Sequence, residues 1–200
     1  MKTITKTIEL YRYSELSDDA RERVKQWYLD GQNAGVFADD CKDWLQYEYG
    51  LIDMTVQFSL SYCQGDGLNV YGDVAFWELE KIFKNSEFTE KELKRLEFYY
   101  KQVYDAIHIP ANPRYSYDYS NRIDFASNWI AELENDGIRD IDKRLISRFE
   151  SYLKQVFHNI NAELEQRGYD FFYEISESDL SDICDANDYY FTADGTYYFD

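Results

Sequence analysis

Two prolines and nine glycines in 200 residues leave this chain almost without the residues that build flexible linkers. It has only two histidines, His108 and His158, and three widely spaced cysteines, Cys41, Cys63 and Cys184, with no C-x-x-C pair. So few histidines, with no local Ser-His-Asp or Cys-His arrangement, give neutral-pH proton-transfer catalysis no foothold. His108, just before Pro110, reads as a helix-end cation opposing the helix dipole, and His158 as part of a long helix. Metal spacing is missing too: Asp182, Asp185, Asn187 and Asp188 lack the alternation and terminal glutamate of an EF-hand loop. An odd number of isolated cysteines points to free thiols in a reducing compartment. No apolar run approaches the roughly 20 residues of a membrane span, and Met1 to Lys6 shows no hydrophobic leader. These absences predict a soluble cytoplasmic protein that is not an enzyme, with no catalytic residues, cofactor, metal or membrane role.

Positive charge is missing from two long stretches. Asp43 to Glu80 holds seven carboxylates and no Lys or Arg, and Gly168 to Asp200 holds nine, again with no base. Together they account for −16 of the formal −18. A solvated acidic surface keeps an aromatic-rich chain soluble, which is the plain explanation. Segregated charge also makes a field that attracts cationic proteins and repels nucleic acid. Duplex DNA carries one charge about every 1.7 Å of axis, so a protein mimic of it needs dense carboxylates free of cations. The candidate contacts are Asp66, Asp73, Glu78, Asp179, Asp182, Asp185, Asp188 and Asp194, all within the two base-free stretches.

What is abundant is aromatic: twenty Tyr, thirteen Phe and four Trp. Disordered acidic chains are poor in such rings, so a folded core is expected. Thr3 to Tyr13 alternates as an opening strand, and Ser17-Asp18-Asp19 starts a helix that Gly31 stops. A second helix is predicted over Phe37 to Tyr47, closed by Gly50. Met54 to Cys63 alternates as a strand, turns at Gln64-Gly65-Asp66-Gly67 and returns through Leu68, Val70 and Asp73 to Phe76. Thr89 and Glu92 form a capping box ahead of a helix carrying Leu93, Leu96, Tyr100, Val103 and Ile107. Tyr115, Tyr117 and Tyr119 suggest a strand that Ile123 and Phe125 extend, while Trp129, Ile130 and Leu133 fit either period. A long helix is predicted from about 140 to 167, with Gly168 as its stop. Tyr169 to Glu174 reads as a strand, Ser178 to Ala186 as a short helix or turn, and Tyr189–Phe191 with Tyr197–Phe199 as a hairpin across Asp194-Gly195. The fold class is α+β: one acidic domain over 1–200, with antiparallel hairpins against several helices.

Three segments carry a resemblance. Ile8 to Arg21 (IELYRYSELSDDAR), Phe58 to Gly67 (FSLSYCQGDG) and Asn187 to Gly195 (NDYYFTADG) are similar to a family of small acidic phage and prophage proteins, sometimes called antitoxins. Its members open with a strand, an E-L-S-x-x-A helix start and an S-x-S-Q-G-D-G hairpin; here Cys63 replaces the usual serine. The resemblance implies a mobile-element origin and a shared fold. By analogy of class, such proteins look like anti-CRISPR and anti-restriction inhibitors, some of them nucleic-acid mimics. The expected function is an inhibitor in the host-cell cytoplasm that binds a basic nucleic-acid-handling defence protein, a CRISPR effector nuclease foremost, without touching nucleic acid itself. The alternative is an antitoxin that covers a basic toxin.

Overall fold

Ser17 caps the first helix as its sequence position predicts, its Oγ accepting from Ala20 N at 3.4 Å. The computed structural model describes residues 2, 7–63, 65–103, 107–111 and 123–199. In chain order the helices are α1 (Asp18–Asp30), α2 (Ala34–Trp44), α3 (Glu80–Lys84), α4 (Glu90–Val103), α5 (Ala126–Asn135), α6 (Lys143–Tyr173) and α7 (Glu177–Ala186). The strands are β1 (Thr55–Ser59), β2 (Gly67–Val74) and β3 (Ile107–Ile109), one antiparallel sheet in the order β1-β2-β3. The fold is therefore α+β. Its residues pack as two compact units, 1–33 with 168–200, and 34–167.

In the first unit, Val24, Ala20, Leu16 and Tyr13 bury against Leu180 and Cys184 of α7 and against Phe191. Leu180 and Cys184 are four apart, so α7 gives one apolar stripe to this core and turns its acids outward. Tyr11 and Phe191 exchange backbone bonds of 2.8 and 3.0 Å, tying the two chain ends together. The predicted hairpin forms: Phe191 bridges Tyr197, and Tyr198 N donates to Tyr190 O at 2.9 Å. Gly195 at its tip has φ +85, and a Cβ there would stand 2.4 Å from Ala20 O, so only glycine fits.

In the second unit, Leu145, Phe149, Leu153, Phe157, Ile160 and Leu164 bury one stripe of α6. Phe149 is the hub of the aromatic core, with ring centroids of Phe125, Phe83 and Phe76 at 5.4, 5.8 and 6.0 Å. The capping box holds: Thr89 N reaches Glu92 Oε2 at 2.8 Å and Glu92 N reaches Thr89 Oγ1 at 3.3 Å. The hairpin pairs Val56 with Val70 and Phe58 with Leu68. Val70 N donates instead to Asn161 Oδ1 at 3.0 Å, so a helix side chain completes this part of the sheet.

Several expectations need correcting. Helix α4 is described over Glu90–Val103, and Ile107 lies not on it but in β3, where Ile107 and Ile109 are buried on either side of an exposed His108. His108 is thus a strand residue opposite Asp73, not a helix-end cation. Phe76 leaves β2 for a short 3-10 turn because Glu78 takes the amide of Ala75. Ile123 and Phe125 are buried but not in a strand, since Glu150 captures the amides of Phe125 and Ala126 and opens α5. Trp129, Ile130 and Leu133 lie on that helix. Gly168 does not stop α6, which runs on to Tyr173. A glycine costs a helix only about 1 kcal/mol against alanine, and Tyr169 pairs with Tyr173 one turn on at 6.1 Å. Residues 7–10 carry no strand pairing, and residues 3–6, Gln64 and the Tyr115–Tyr119 segment lie outside the described residues.

Asn161 is fully buried. Asn161→Ala should destabilise the protein by about 1–3 kcal/mol, because Val70 N–H loses its acceptor in a place water does not reach. Chemical denaturation measures this; a loss below about 0.5 kcal/mol would mean that the amide is satisfied some other way.

Candidate partner-binding surface

The eight carboxylates singled out in the sequence divide by what they touch. Asp66 organises the β1–β2 loop, accepting from Ser61 N at 2.6 Å, Cys63 N at 2.8 Å, Ser59 Oγ at 3.1 Å and Cys63 Sγ at 3.1 Å. This is why β1 ends at Ser59 and the turn is wider than a tight hairpin. Desolvation works to raise the pKa of Asp66, but the bonds from Cys63, Ser61 and Ser59 outweigh it and bring it down to about 2. A folded value below the ordinary carboxylate range favours the fold above about pH 4 and loses that contribution as pH falls toward 2. Glu78 is 7% exposed and accepts from Ala75 N at 2.7 Å and Ile52 N at 2.9 Å. Asp194 binds Thr192 Oγ1 at 2.5 Å and Thr196 Oγ1 at 3.1 Å, and its pKa is lowered chiefly by the bond from Thr192.

Basic side chains meet others. Asp73 faces His108 Nδ1 at 2.8 Å across β2 and β3. Arg12 reaches both Asp185 at 3.6 Å and Asp188 at 3.0 Å, and Arg23 stands 3.9 Å from Asp194. The tail is base-free in sequence but not in space, because α1 and the segment before it bring arginines to it. Of the eight, only Asp179 and Asp182, both exposed on α7, have no cation or hydrogen-bond donor at their carboxylates among the described residues. Reversing the charge of Asp185 or Asp188 would set a lysine against Arg12, so these two positions are not neutral to the fold. The two base-free stretches fall in different units, 43–80 in the second and 168–200 in the first.

The first unit holds 15 acids and six bases, and so carries half of the net −18 in a third of the residues. It also presents an aromatic ledge. Tyr197 stacks on Trp27 at 4.7 Å and meets Phe199 at 4.7 Å and Tyr189 at 5.1 Å, while Phe199 stays 80% exposed. Alternation along the hairpin placed Tyr197 and Phe199 together, but nothing in the sequence linked Trp27 to them. Cys41 and Cys184 are buried, and burial raises their pKa to about 12 and about 11, so neither is a ready nucleophile. Exposed Cys63 has its pKa raised by its bond to Asp66. Among the described residues no group of three or more His, Cys, Asp or Glu is placed to hold a metal ion, and no helix is long and apolar enough to cross a membrane.

Comparison with family models, with curated proteins and with solved structures gave no match. The surface therefore has to speak through its own chemistry.

The division between structural and open carboxylates is testable. Glu78→Ala should cost about 1–3 kcal/mol for each of the two amides it strands, whereas Asp179→Asn should change stability by less than about 0.5 kcal/mol. Equal effects in denaturation curves would show that Glu78 is no more structural than a surface acid.

Proposed function

We propose that this chain works by binding, and that its partner is a protein with a cationic, nucleic-acid-handling surface. The observation that carries the reading is the outer face of α7, where Asp179 and Asp182 stand exposed and unopposed in a unit with a large negative excess. Nearby charge of one sign steers an opposite surface and sets on-rate and specificity more than affinity. The aromatic ledge of Trp27, Tyr197 and Phe199 supplies the apolar anchors that electrostatics alone lacks.

Within this reading the chain is an inhibitor from a phage or other mobile element, acting in the host cytoplasm without catalysis. Its leading target is a CRISPR effector nuclease, whose basic channel holds a nucleic acid by its backbone. The resemblance of the Ile8–Arg21, Phe58–Gly67 and Asn187–Gly195 segments to small acidic phage proteins supports that origin. A basic toxin offers the same chemistry, and a stable binary complex with one, in the absence of nucleic acid, would favour the antitoxin reading.

The test is binding to a purified guide-loaded effector nuclease at low and high salt. Exposed pairs are screened over about 8 Å at physiological ionic strength, so affinity should fall steeply as salt rises. Asp179→Lys with Asp182→Lys should abolish binding and leave the fold intact. Glu90→Lys with Glu97→Lys, where each acid already pairs with a lysine one turn on, should bind nearly as the parent does. Parent-like, salt-independent binding by the α7 variant would end the electrostatic reading.

A further inference from the structure

Three of the four tryptophans have a ring or guanidinium partner within the fold. Trp27 stacks on Tyr197, Trp44 lies under the Arg167 guanidinium at 4.5 Å, and Trp129 is 2% exposed beside Phe125. Trp77 is different. It is 68% exposed and meets no ring or cation among the described residues. An indole left in water forgoes the largest apolar burial any side chain offers, and tryptophan is enriched where partners dock.

The turn that presents Trp77 is firmly held. Phe76 before it packs on Phe83 and Phe149, and Glu78 after it binds the amides of Ala75 and Ile52. Ile52 lines a hollow of about 180 Å³ with Leu51, Met54, Gln46, Asp43 and Asp53. The turn and the hollow are joined a second time, since Lys81 Nζ donates to the carbonyls of Gln46 and Tyr47. Gly50 permits this approach: its φ is +75, and a Cβ there would come within 3.1 Å of Glu78 O. Tyr47, 76% exposed, stands at the same place with Lys81 5.5 Å from its ring.

The charges around the indole say what would cover it. Asp43 and Asp53 both line the hollow and have no cation within ion-pair distance among the described residues. The hollow's own base, Lys42, is taken by Asp39 at 2.9 Å. Two open carboxylates in a hollow tied by Glu78 and Lys81 to the turn that carries an open indole match an arginine-bearing segment, since a guanidinium is planar, stacks on aromatic faces and binds carboxylates by two parallel bonds. The chain uses this contact internally: Arg12 covers Tyr190 at 4.5 Å and Arg148 covers Phe88 at 4.6 Å.

We propose that Trp77 and the adjoining hollow of Asp43 and Asp53 are a docking site for an arginine-bearing segment of a partner protein. This rests on the reading of the chain as a binder of cationic proteins and adds the place and the side chain received. The site lies in the second unit, apart in the sequence from α7, so the two are separable by mutation.

The experiment titrates the full-length, ¹⁵N-labelled chain with a tri-arginine peptide, with tri-lysine and tri-glutamate as comparisons. The indole Nε1–H of Trp77, assigned by its disappearance in Trp77→Phe, is the readout. Tri-arginine should shift it saturably and several-fold more tightly than tri-lysine, and tri-glutamate should leave it still. Asp43→Asn with Asp53→Asn should weaken the tri-arginine response about tenfold, as expected for loss of a charge-assisted anchor. Circular dichroism confirms that each variant is folded. A still Trp77 with shifting α7 amides would overturn this site and leave the binding reading standing. No shift at either place would overturn the site and count against the cationic partner as well. Equal responses to tri-arginine and tri-glutamate would also overturn it.

Discussion

The interaction on which most of this structure depends is a carboxylate accepting hydrogen bonds from backbone amides. Glu15 takes Arg12 N, Asp66 takes Ser61 and Cys63 N, and Glu78 takes Ile52 and Ala75 N. Glu92 takes Thr89 N, Asp142 takes Leu145 N, and Glu150 takes Phe125 and Ala126 N. Each of these marks a place where the chain changes from one element to the next. A buried or half-buried amide without a partner is costly, and a charged acceptor makes a stronger bond than a neutral one. With two prolines and few glycines to shape its loops, this chain shapes them with acids.

That economy changes what its charge means. Much of the negative excess already has a partner within the fold, in turns and caps or in arginines distant in sequence. Arg12 serves two tail aspartates and lies over Tyr190, closing the first unit from end to end. Among the described acids of the two base-free stretches, what remains open is narrower than the sequence suggests: chiefly the outer face of α7 in one unit, and Asp43, Glu48 and Asp53 in the other. Each of the two binding sites we propose is small and has its own exposed rings for apolar contact, Phe199 in the first unit and Tyr47 and Trp77 in the second.

The elements with an unambiguous period were legible in the sequence: α1 with its Ser17 cap, α4 with its capping box, the β1–β2 pair and the tail hairpin. Failures came where a local signal met a tertiary one. Gly168 looked like a stop, but a single glycine costs a helix little and α6 continued past it. Ile107 looked like the last turn of a helix, but Ile107-His108-Ile109 also alternates, and β2 was there to pair with it. Charge was legible in amount and in sequence, not in company. No local pattern reveals that Arg12 will meet Asp188, 176 residues on, or that Glu78 will be buried beneath Ile52.

The account turns on sorting carboxylates into those that hold the backbone and those left open, and site-resolved NMR titration of the carboxyl carbons measures this directly. Asp66 and Glu92 should remain ionised to about pH 2, Asp66 through the amides and hydroxyl of its loop, Glu92 through Thr89 and Arg148. If both instead titrate near the ordinary value of about 4, the bonds that set them apart are not formed in solution, and the sorting fails.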